Sequence, residues 1–507
     1  MSKESLEKLS YIMDFQIVFK VLLPEILVIL GILVTIVTSL FETTKKHNAG
    51  IASVFLFLAS LACYKNYFEA IDESILYDSF VNDQFSILLR ALIYGTCFLI
   101  VLGASQYLKV IESPAEYYPI LLSAGLGAAV LTAANDFLVF FVALETLGLG
   151  AILMTAYARY NKSSNEAGIK YLITSAVSTA MLLMSISFIY GLTGATNFTA
   201  VAARLYQLQG FGILSNPLVT LISVLLCSVI AFKLAAAPFH NWAPDVYSGA
   251  PTSTTLFLSV VSKIAAFGIA IRLFSSVFVS GKILALFMIF AVLSIVIGNY
   301  VGVIQMISRG TVKRLLAYSS IAQGGYLLIA LSIFKPESLS ALLLYLTIYA
   351  LMNTGAFLCA IYFEQITGSA RIFDYAGMIK KRPAMVVAFA FCLISLAGLP
   401  LIPAGFIAKF FLFSSAFSAS IALGKVLAII GLIGSIVALF YYMYLVKILV
   451  VDDVSTPVKA IPEKDEHPSR LVKIATFIAV SKLAFIGFFM MDFLKELTAD
   501  TIAKLLS

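Results

Sequence analysis

Charge is scarce in this 507-residue chain. Asp, Glu, Lys and Arg make up 12% of it, about half the roughly 25% of an ordinary soluble domain. Hydrophobic residues make up 61%, and the few polar ones cannot cover such a chain in water. A cytosolic enzyme, a coiled coil and a disordered chain are excluded, and most of the outer surface must face lipid. Cysteine is sparse too. There are five, with no CxxC pair, which gives no disulfide framework, zinc site or iron–sulfur centre. His47, His240 and His467 lie far apart and suggest neither haem nor a metal cluster. No GxGxxG follows a strand, and neither GxxxxGKS nor GxxxxGKT occurs, so no cofactor or nucleotide site is expected in this chain. The net charge of +7 sits at the ends of apolar runs, which is a membrane-topology pattern and not a nucleic-acid patch. The N-terminus, MSKESLEKLSYIMDF, has mixed charge and no signal-peptide pattern. The first apolar run is therefore expected as a retained helix.

What is present is a recurrence of apolar runs. A helix needs about 20 apolar residues to cross the hydrocarbon core. Such runs fall near 17–40, 49–64, 80–106, 117–133, 136–158, 168–192, 217–243, 252–275, 282–306, 313–334, 338–363, 384–414, 424–448 and 471–494. The expected fold is an all-α polytopic membrane protein with about fourteen transmembrane helices. Asn135-Asp136 and the polar break at Gly310 mark tight turns. The weakly apolar stretch 198–215 is expected at the membrane interface. Of the 34 Lys and Arg, the odd-numbered loops carry eighteen, including Lys45, Lys46, Lys109, Lys381, Arg382, Lys464 and Lys473; the even loops and both termini carry eleven. The excess places the odd loops in the cytoplasm or its organellar equivalent and both termini outside.

Two runs are interrupted. In the seventh, Pro238 follows Lys233 by five residues; in the twelfth, Gly398, Pro400, Pro403 and Gly405 precede Lys409. Proline removes a helical hydrogen bond and clashes with the preceding turn. Broken helices persist in lipid only where protein or water satisfies the freed backbone. Breaks at corresponding places, five spans apart, suggest two inverted five-helix repeats with a site between them. The expected division is a three-helix region (1–114), a first repeat (115–276), a second repeat (277–450), and a loop with a C-terminal helix (451–507).

Ionisable side chains inside these runs are costly and point to function. Glu145 lies nine positions after Asp136 with only apolar or small residues between, near mid-membrane. It needs a cation or a proton; a structural ion pair is the competing explanation. Lys233 stands directly before the first break, where it can exchange a proton or neutralise a helix end. Lys263 sits mid-span, with Ser259 and Ser262 near enough to hold water, or else bonds backbone carbonyls. Lys409 follows the second break as Lys233 precedes the first. His240, beyond Pro238, can relay a proton or cap the broken backbone. Asp245 is expected to face solvent. Arg90 and Lys482 have polar flanks and are expected to serve structure or to snorkel. Gly148 and Gly150 indicate close helix packing.

Three segments carry a resemblance: KLAAAPFHNWAPDVYSGAPTSTTLFLSVVSKIAAF, NDFLVFFVALETLGLGAILMTAY and GTVKRLLAYSSIAQGGYLL. They resemble the antiporter-like membrane subunits of respiratory complex I, NADH-quinone oxidoreductase. FVALE at Glu145 and the stretch from Asn165 to Tyr171 are most similar to subunit 2, called subunit N in bacteria. The match runs from about 115 to 415. The resemblance implies that Glu145 partners Lys233, that Lys263 links two half-channels, and that Lys409 serves the second. It implies a proton-translocating subunit of a translocase, with other membrane-arm subunits and a hydrophilic redox arm as partners. NADH, FMN, iron–sulfur clusters and quinone would serve that complex, and lipids would surround it. The implied membrane is a bacterial plasma membrane or a mitochondrial inner membrane, ahead of a thylakoid. A multisubunit cation/proton antiporter shares the pattern, and plastid-type relatives use ferredoxin.

Overall fold

The computed structural model describes residues 15–69, 71–108, 114–209, 217–277, 281–419, 422–462 and 470–506. Residues 1–14 and 210–215, Lys109, Lys464 and His467 lie outside the described residues. The first run is not one straight helix. α1 (Phe15–Val21) and α2 (Leu23–Ser39) are bent by 67°, because Pro24 in the first turn of α2 cannot continue a preceding helix. α3 (Asn48–Phe68) leads to a small antiparallel hairpin of β1 (Glu73–Ile75) and β2 (Phe80–Asn82). α4 (Gln84–Tyr107) begins at Asp83, whose carboxylate accepts from the Ser86 N–H at 2.7 Å, a side-chain cap on an otherwise orphan donor. α5 (Tyr117–Ala133) turns at Asn135 into α6 (Phe137–Thr155), capped in the same way by Asp136. α7 (Lys162–Thr193) and the short α8 (Phe198–Gln209) follow.

The seventh apolar run is two helices, α9 (Pro217–Lys233) and α10 (Trp242–Gly249). α11 (Thr252–Ser276), α12 (Gly281–Ile307), α13 (Val312–Ile333) and α14 (Pro336–Thr367) are long and continuous. The twelfth run is also divided, into α15 (Pro383–Ala397) and α16 (Pro403–Ser418). α17 (Ala422–Val450) and α18 (Thr456–Lys459) precede the last span. That span outruns its expected end at 494. α19 (Arg470–Phe485), a π-helical turn over Ile486–Met490, and α20 (Met491–Leu506) form one apolar run.

Ten helices among the described residues are long and apolar enough to cross a membrane, or eleven with the bent pair α1–α2. The chain is an all-α, multi-pass membrane protein. Its layers are unequal. The apolar lengths of α11, α13 and α14 are buried almost completely, whereas α7, α17 and the last span are buried over a third of theirs. The exposed faces of those outer helices carry Leu, Ile and Phe, including Ile173, Ile436 and Phe477, as a lipid-facing surface requires.

Arg90 does not snorkel. It is fully buried, and it donates to Glu25 Oε1 at 3.0 Å and to Asn82 Oδ1. Tyr94 donates to the same carboxylate oxygen at 3.2 Å. The pair ties α2 to α4 and to the hairpin. At the same end Arg272 of α11 makes two bonds to Asp83, at 2.8 and 2.9 Å, and donates to the Thr132 carbonyl at 3.1 Å. The leading helices are thereby clamped to the buried core. Lys482 lies exposed on the outer face of α19.

Removing one member of a buried pair strands the other charge, at a cost of about 3–5 kcal/mol. Arg90→Ala is therefore expected to deplete the subunit from membranes, and replacing Arg90 and Glu25 together with Leu to recover most of the loss. Immunoblots of membranes from the two strains check this; equal depletion in both contradicts a role for the pair.

Candidate functional site

The first break ends α9 at Lys233. Ala235 takes a positive φ of 53°, so the chain leaves the helix axis at once. Helix ends leave carbonyls without donors, and Trp242 on α10 supplies one. Its indole N–H donates to the Phe232 carbonyl at 3.2 Å, and the ring stacks on Tyr171 at 4.7 Å. The Ala237 N–H is held by Ser294 Oγ at 2.9 Å, just before Pro238. His240 is half-buried, and its Nδ1 has no hydrogen-bond partner. The imidazole nevertheless hydrogen-bonds the backbone of Pro238, as a cap of the broken segment would.

Lys233 is buried, and its Nζ makes no hydrogen bond. It lies over Gly148 on α6, where a Cβ would stand 3.1 Å from Nζ. Glu145, one turn earlier on α6, is half-buried and accepts from Thr179 Oγ1 at 2.6 Å. Direct contact between Glu145 and Lys233 is the sequence expectation. The structure places both groups beside one stretch of α6 without an ion pair, the carboxylate being held by the α7 hydroxyl instead.

Lys263, on the fully buried α11, donates to the Ser320 carbonyl of α13. Gly324 makes the approach possible, since a Cβ there would stand 3.2 Å from Nζ. The expected neighbour Ser259 bonds Ser320 Oγ at 3.3 Å and faces the Tyr349 hydroxyl at 3.4 Å. Tyr349 donates to the Ser259 carbonyl at 3.1 Å, and its ring lies 5.9 Å from Nζ.

The second break follows the same logic with a different partner. Gly398 has a φ of 81° and closes α15 with bonds from its N–H to the Ile394 and Ser395 carbonyls. Pro400 lies exposed in the link, and Pro403 occupies the first turn of α16, a position where its missing N–H costs nothing. Lys409 reaches back and donates to the Leu396 and Ala397 carbonyls at 2.7 and 3.2 Å. These are among the last carbonyls of α15, which no helical N–H can satisfy. The Tyr326 ring lies 5.0 Å from the ammonium.

One helix joins the two central lysines. Gln323 of α13 is fully buried, three residues beyond Ser320. Its Nε2 donates to the Leu396 carbonyl at 3.1 Å, the oxygen that also receives Lys409. Its Oε1 accepts from Tyr345, and Tyr442 stands 3.4 Å from Nε2 and pairs with Ser319. Sequence reasoning did not single out Gln323 or Ser320. Their signal is the polar interruption SSIAQGG in a helix otherwise apolar enough to be core. Asp245, expected to face solvent, is partly exposed and also holds Lys170 at 3.0 Å and Arg314 at 3.4 Å, because α7, α10 and α13 converge there. Among the described residues no group of His, Cys, Asp or Glu could hold a metal ion.

The model of the family described as NADH:quinone oxidoreductase/Mrp antiporter, TM, matches residues 134–437, more than half of the chain, with Glu145, Lys233, Lys263 and Lys409 inside it. The chain belongs to this family. Over 474 residues, 91% of each chain, it is 36% identical to the NAD(P)H-quinone oxidoreductase subunit 2 of Prochlorococcus marinus (strain MIT 9301). A chain of respiratory complex I from Thermus thermophilus superposes with a TM-score of 0.70 at 26% identity, over 91% of this chain and 98% of that one. A chain of the Mrp complex from Dietzia sp. DQ12-45-1b is 19% identical, with a TM-score of 0.79 over 96% of this chain and 98% of that one, a likeness of fold. The subunit 2/N branch of this family, expected from the motifs, is the one found.

Gln323→Leu would leave the buried Tyr345 hydroxyl without its acceptor, a loss of about 1–3 kcal/mol. The expected outcome is a chain that inserts normally but melts earlier in detergent. An unchanged melting temperature contradicts a shared network between Lys263 and Lys409.

Proposed function

We propose that this chain is a proton-translocating membrane subunit of an NADH-quinone oxidoreductase of the complex I type. Glu145, Lys233, Lys263 and Lys409 carry protons between two half-channels, and electron transfer elsewhere in the complex drives them. The observation that carries this reading is the buried chain of polar groups from Lys263 through Ser320 and Gln323 to Lys409. A spacer between subunits has no use for several ammonium groups placed where each is costly. NADH, FMN, iron–sulfur clusters and quinone would belong to partner subunits, a hydrophilic redox arm among them. The chain would add no redox centre of its own, and it would sit in a bacterial plasma membrane or a mitochondrial inner membrane.

The same reading takes the chain across the membrane fourteen times. Eleven crossings are the long apolar helices with the bent pair; α5, α9 with α10, and α15 with α16 supply the others. Residues 115–276 and 277–450 then form two inverted five-helix repeats, each with one broken helix, flanked by 1–114 and 451–507. Support comes from the two divided spans and from the lysine beside each break. His240, half-buried near the first break, is a relay candidate in the first half.

In the mechanism a proton loads Lys233 while Glu145 stabilises the charged form. Withdrawing the carboxylate toward Thr179 favours release toward Lys263. A differential of about 1.4 kcal/mol changes proton occupancy tenfold, so a small movement of Glu145 suffices. The proton then passes along α13 to Lys409.

Two measurements test this. The native complex purified through this chain is expected to contain flavin and to reduce quinone; a flavin-free complex that exchanges sodium for protons would instead identify an antiporter subunit. In the assembled complex, Lys233→Arg keeps the charge but scarcely releases a proton. Protons pumped per NADH should fall severely, with flavin and iron–sulfur content intact. Wild-type pumping in that variant would leave Lys233 only an electrostatic role.

A further inference from the structure

We propose that the seam between α11 and α14 is a water-filled proton inlet to Lys263, with Glu364 as its collecting group and Asn353 as the residue that holds its water. This rests on the reading of Lys263 as a proton carrier. The two helices run antiparallel, and two sets of contacts fix their register. At the membrane face that bears the basic loop Lys380–Arg382, Thr252 at the start of α11 donates from Oγ1 to Glu364 Oε2 near the end of α14. Tyr107 stands 3.4 Å from the other carboxylate oxygen and accepts from the Thr252 N–H at 3.3 Å. Glu364 is half-buried, so it can exchange protons with the aqueous side. Deeper in, Ser259 of α11 meets Tyr349 of α14 beside Ser320, whose carbonyl receives Lys263.

Asn353 lies between these two contact sets. It is one turn from Tyr349 toward Glu364, at the i+4 spacing that keeps both on one helix face. It is fully buried with the Tyr349 hydroxyl beside it, and no protein group meets full hydrogen-bond geometry with its Oδ1 or Nδ2. Its neighbour Thr354 is likewise buried with an unpartnered Oγ1. Buried carboxamides are almost always bonded, to protein or to ordered water. On α11, Thr252, Thr255, Ser259 and Lys263 follow at helical spacing along one face. Thr255 donates to the Tyr247 carbonyl at 3.1 Å, so its oxygen lone pairs remain able to accept. The interval from Thr252 to Ser259 is about 10 Å along the helix. Direct hydrogen bonds do not cover it; about three waters do.

The transfer balances simply. Glu364 takes a proton from the aqueous side. Its O–H passes that proton to the first water, the water chain shifts one proton along each hydrogen bond, and the last O–H protonates the neutral Lys263 amine. Glu364 returns to carboxylate. Asn353 changes no protonation state. Its carbonyl and amide hold one water in line, so it is a positioning residue.

The test uses the whole complex in sealed vesicles and reads the initial rate of proton uptake per electron pair. Asn353→Leu and Glu364→Gln should each lower it roughly tenfold in fully assembled complex, and Asn353→Ser, which still binds water, should recover most of the loss. Lys263→Ala is the control. If Lys263→Ala stops pumping while Asn353→Leu and Glu364→Gln pump normally, the inlet is wrong and the role of Lys263 stands. If Lys263→Ala itself pumps normally, the role of Lys263 falls, and the inlet with it. Should Asn353→Leu fail to assemble, a cryo-EM map of the unmodified complex decides, with water density bonded to Asn353 expected and a dry seam overturning the proposal.

Discussion

An ammonium group taken out of water must be given oxygen atoms or a compensating charge, and the interior of this protein is arranged around meeting that demand. Lys409 obtains its oxygens from a helix that stops early. Lys263 obtains one from a continuous helix, across a glycine. Lys233 has its ammonium beside Gly148, one turn from the Glu145 carboxylate, without a direct bond. The breaks, the glycines and the hydroxyls of α13 and α14 follow from these three placements. An aliphatic side chain in place of each lysine would remove the need for most of them.

Much of this is legible in the sequence because it is local. The apolar runs gave an all-α, multi-pass membrane protein, and Pro238 and the Gly398–Pro403 cluster gave the breaks. Counting residues from the ends of a run placed Lys233, Lys263 and Lys409 at depth. What depends on a distant partner was less legible. Arg90 read as structural or snorkelling, and which of the two holds depends on Glu25, on another helix. Asp245 read as solvent-facing and is in part exposed; what the sequence did not show is that its cations come from α7 and α13. Gln323 carries no charge and so attracted no notice. Its weight comes from sharing the Leu396 carbonyl with Lys409, a relation that no window along the chain contains. Pro24 was visible, and its effect on a run taken as continuous was underestimated.

Tyrosine also changes its meaning between sequence and structure. By composition it reads as an interfacial or lipid-facing residue. In the core, Tyr345, Tyr349, Tyr326 and Tyr442 are buried, and their hydroxyls bond serines and amides of α12 and α13. A tyrosine hydroxyl both donates and accepts. It can close a hydrogen-bond network without adding charge to a region that already holds buried ammonium groups.

The two breaks treat their lysines differently, and the direction of helical side chains explains why. A side chain on an α-helix leans toward that helix's N-terminus. Lys409 follows its break, so leaning back carries it to the carbonyls that α15 leaves open, and two of them bind it. Lys233 precedes its break, so leaning back carries it away from the broken end and over α6, where Gly148 gives it room and no oxygen. The open carbonyl at the end of α9 goes instead to the Trp242 indole. One lysine is therefore anchored by the backbone of the preceding half-helix, and the other depends on what a neighbouring helix presents. The carboxylate one turn along α6, held by the Thr179 hydroxyl, lies beside the less anchored of the two. That asymmetry leaves the ammonium without a direct bond at the first break and bonds it twice at the second.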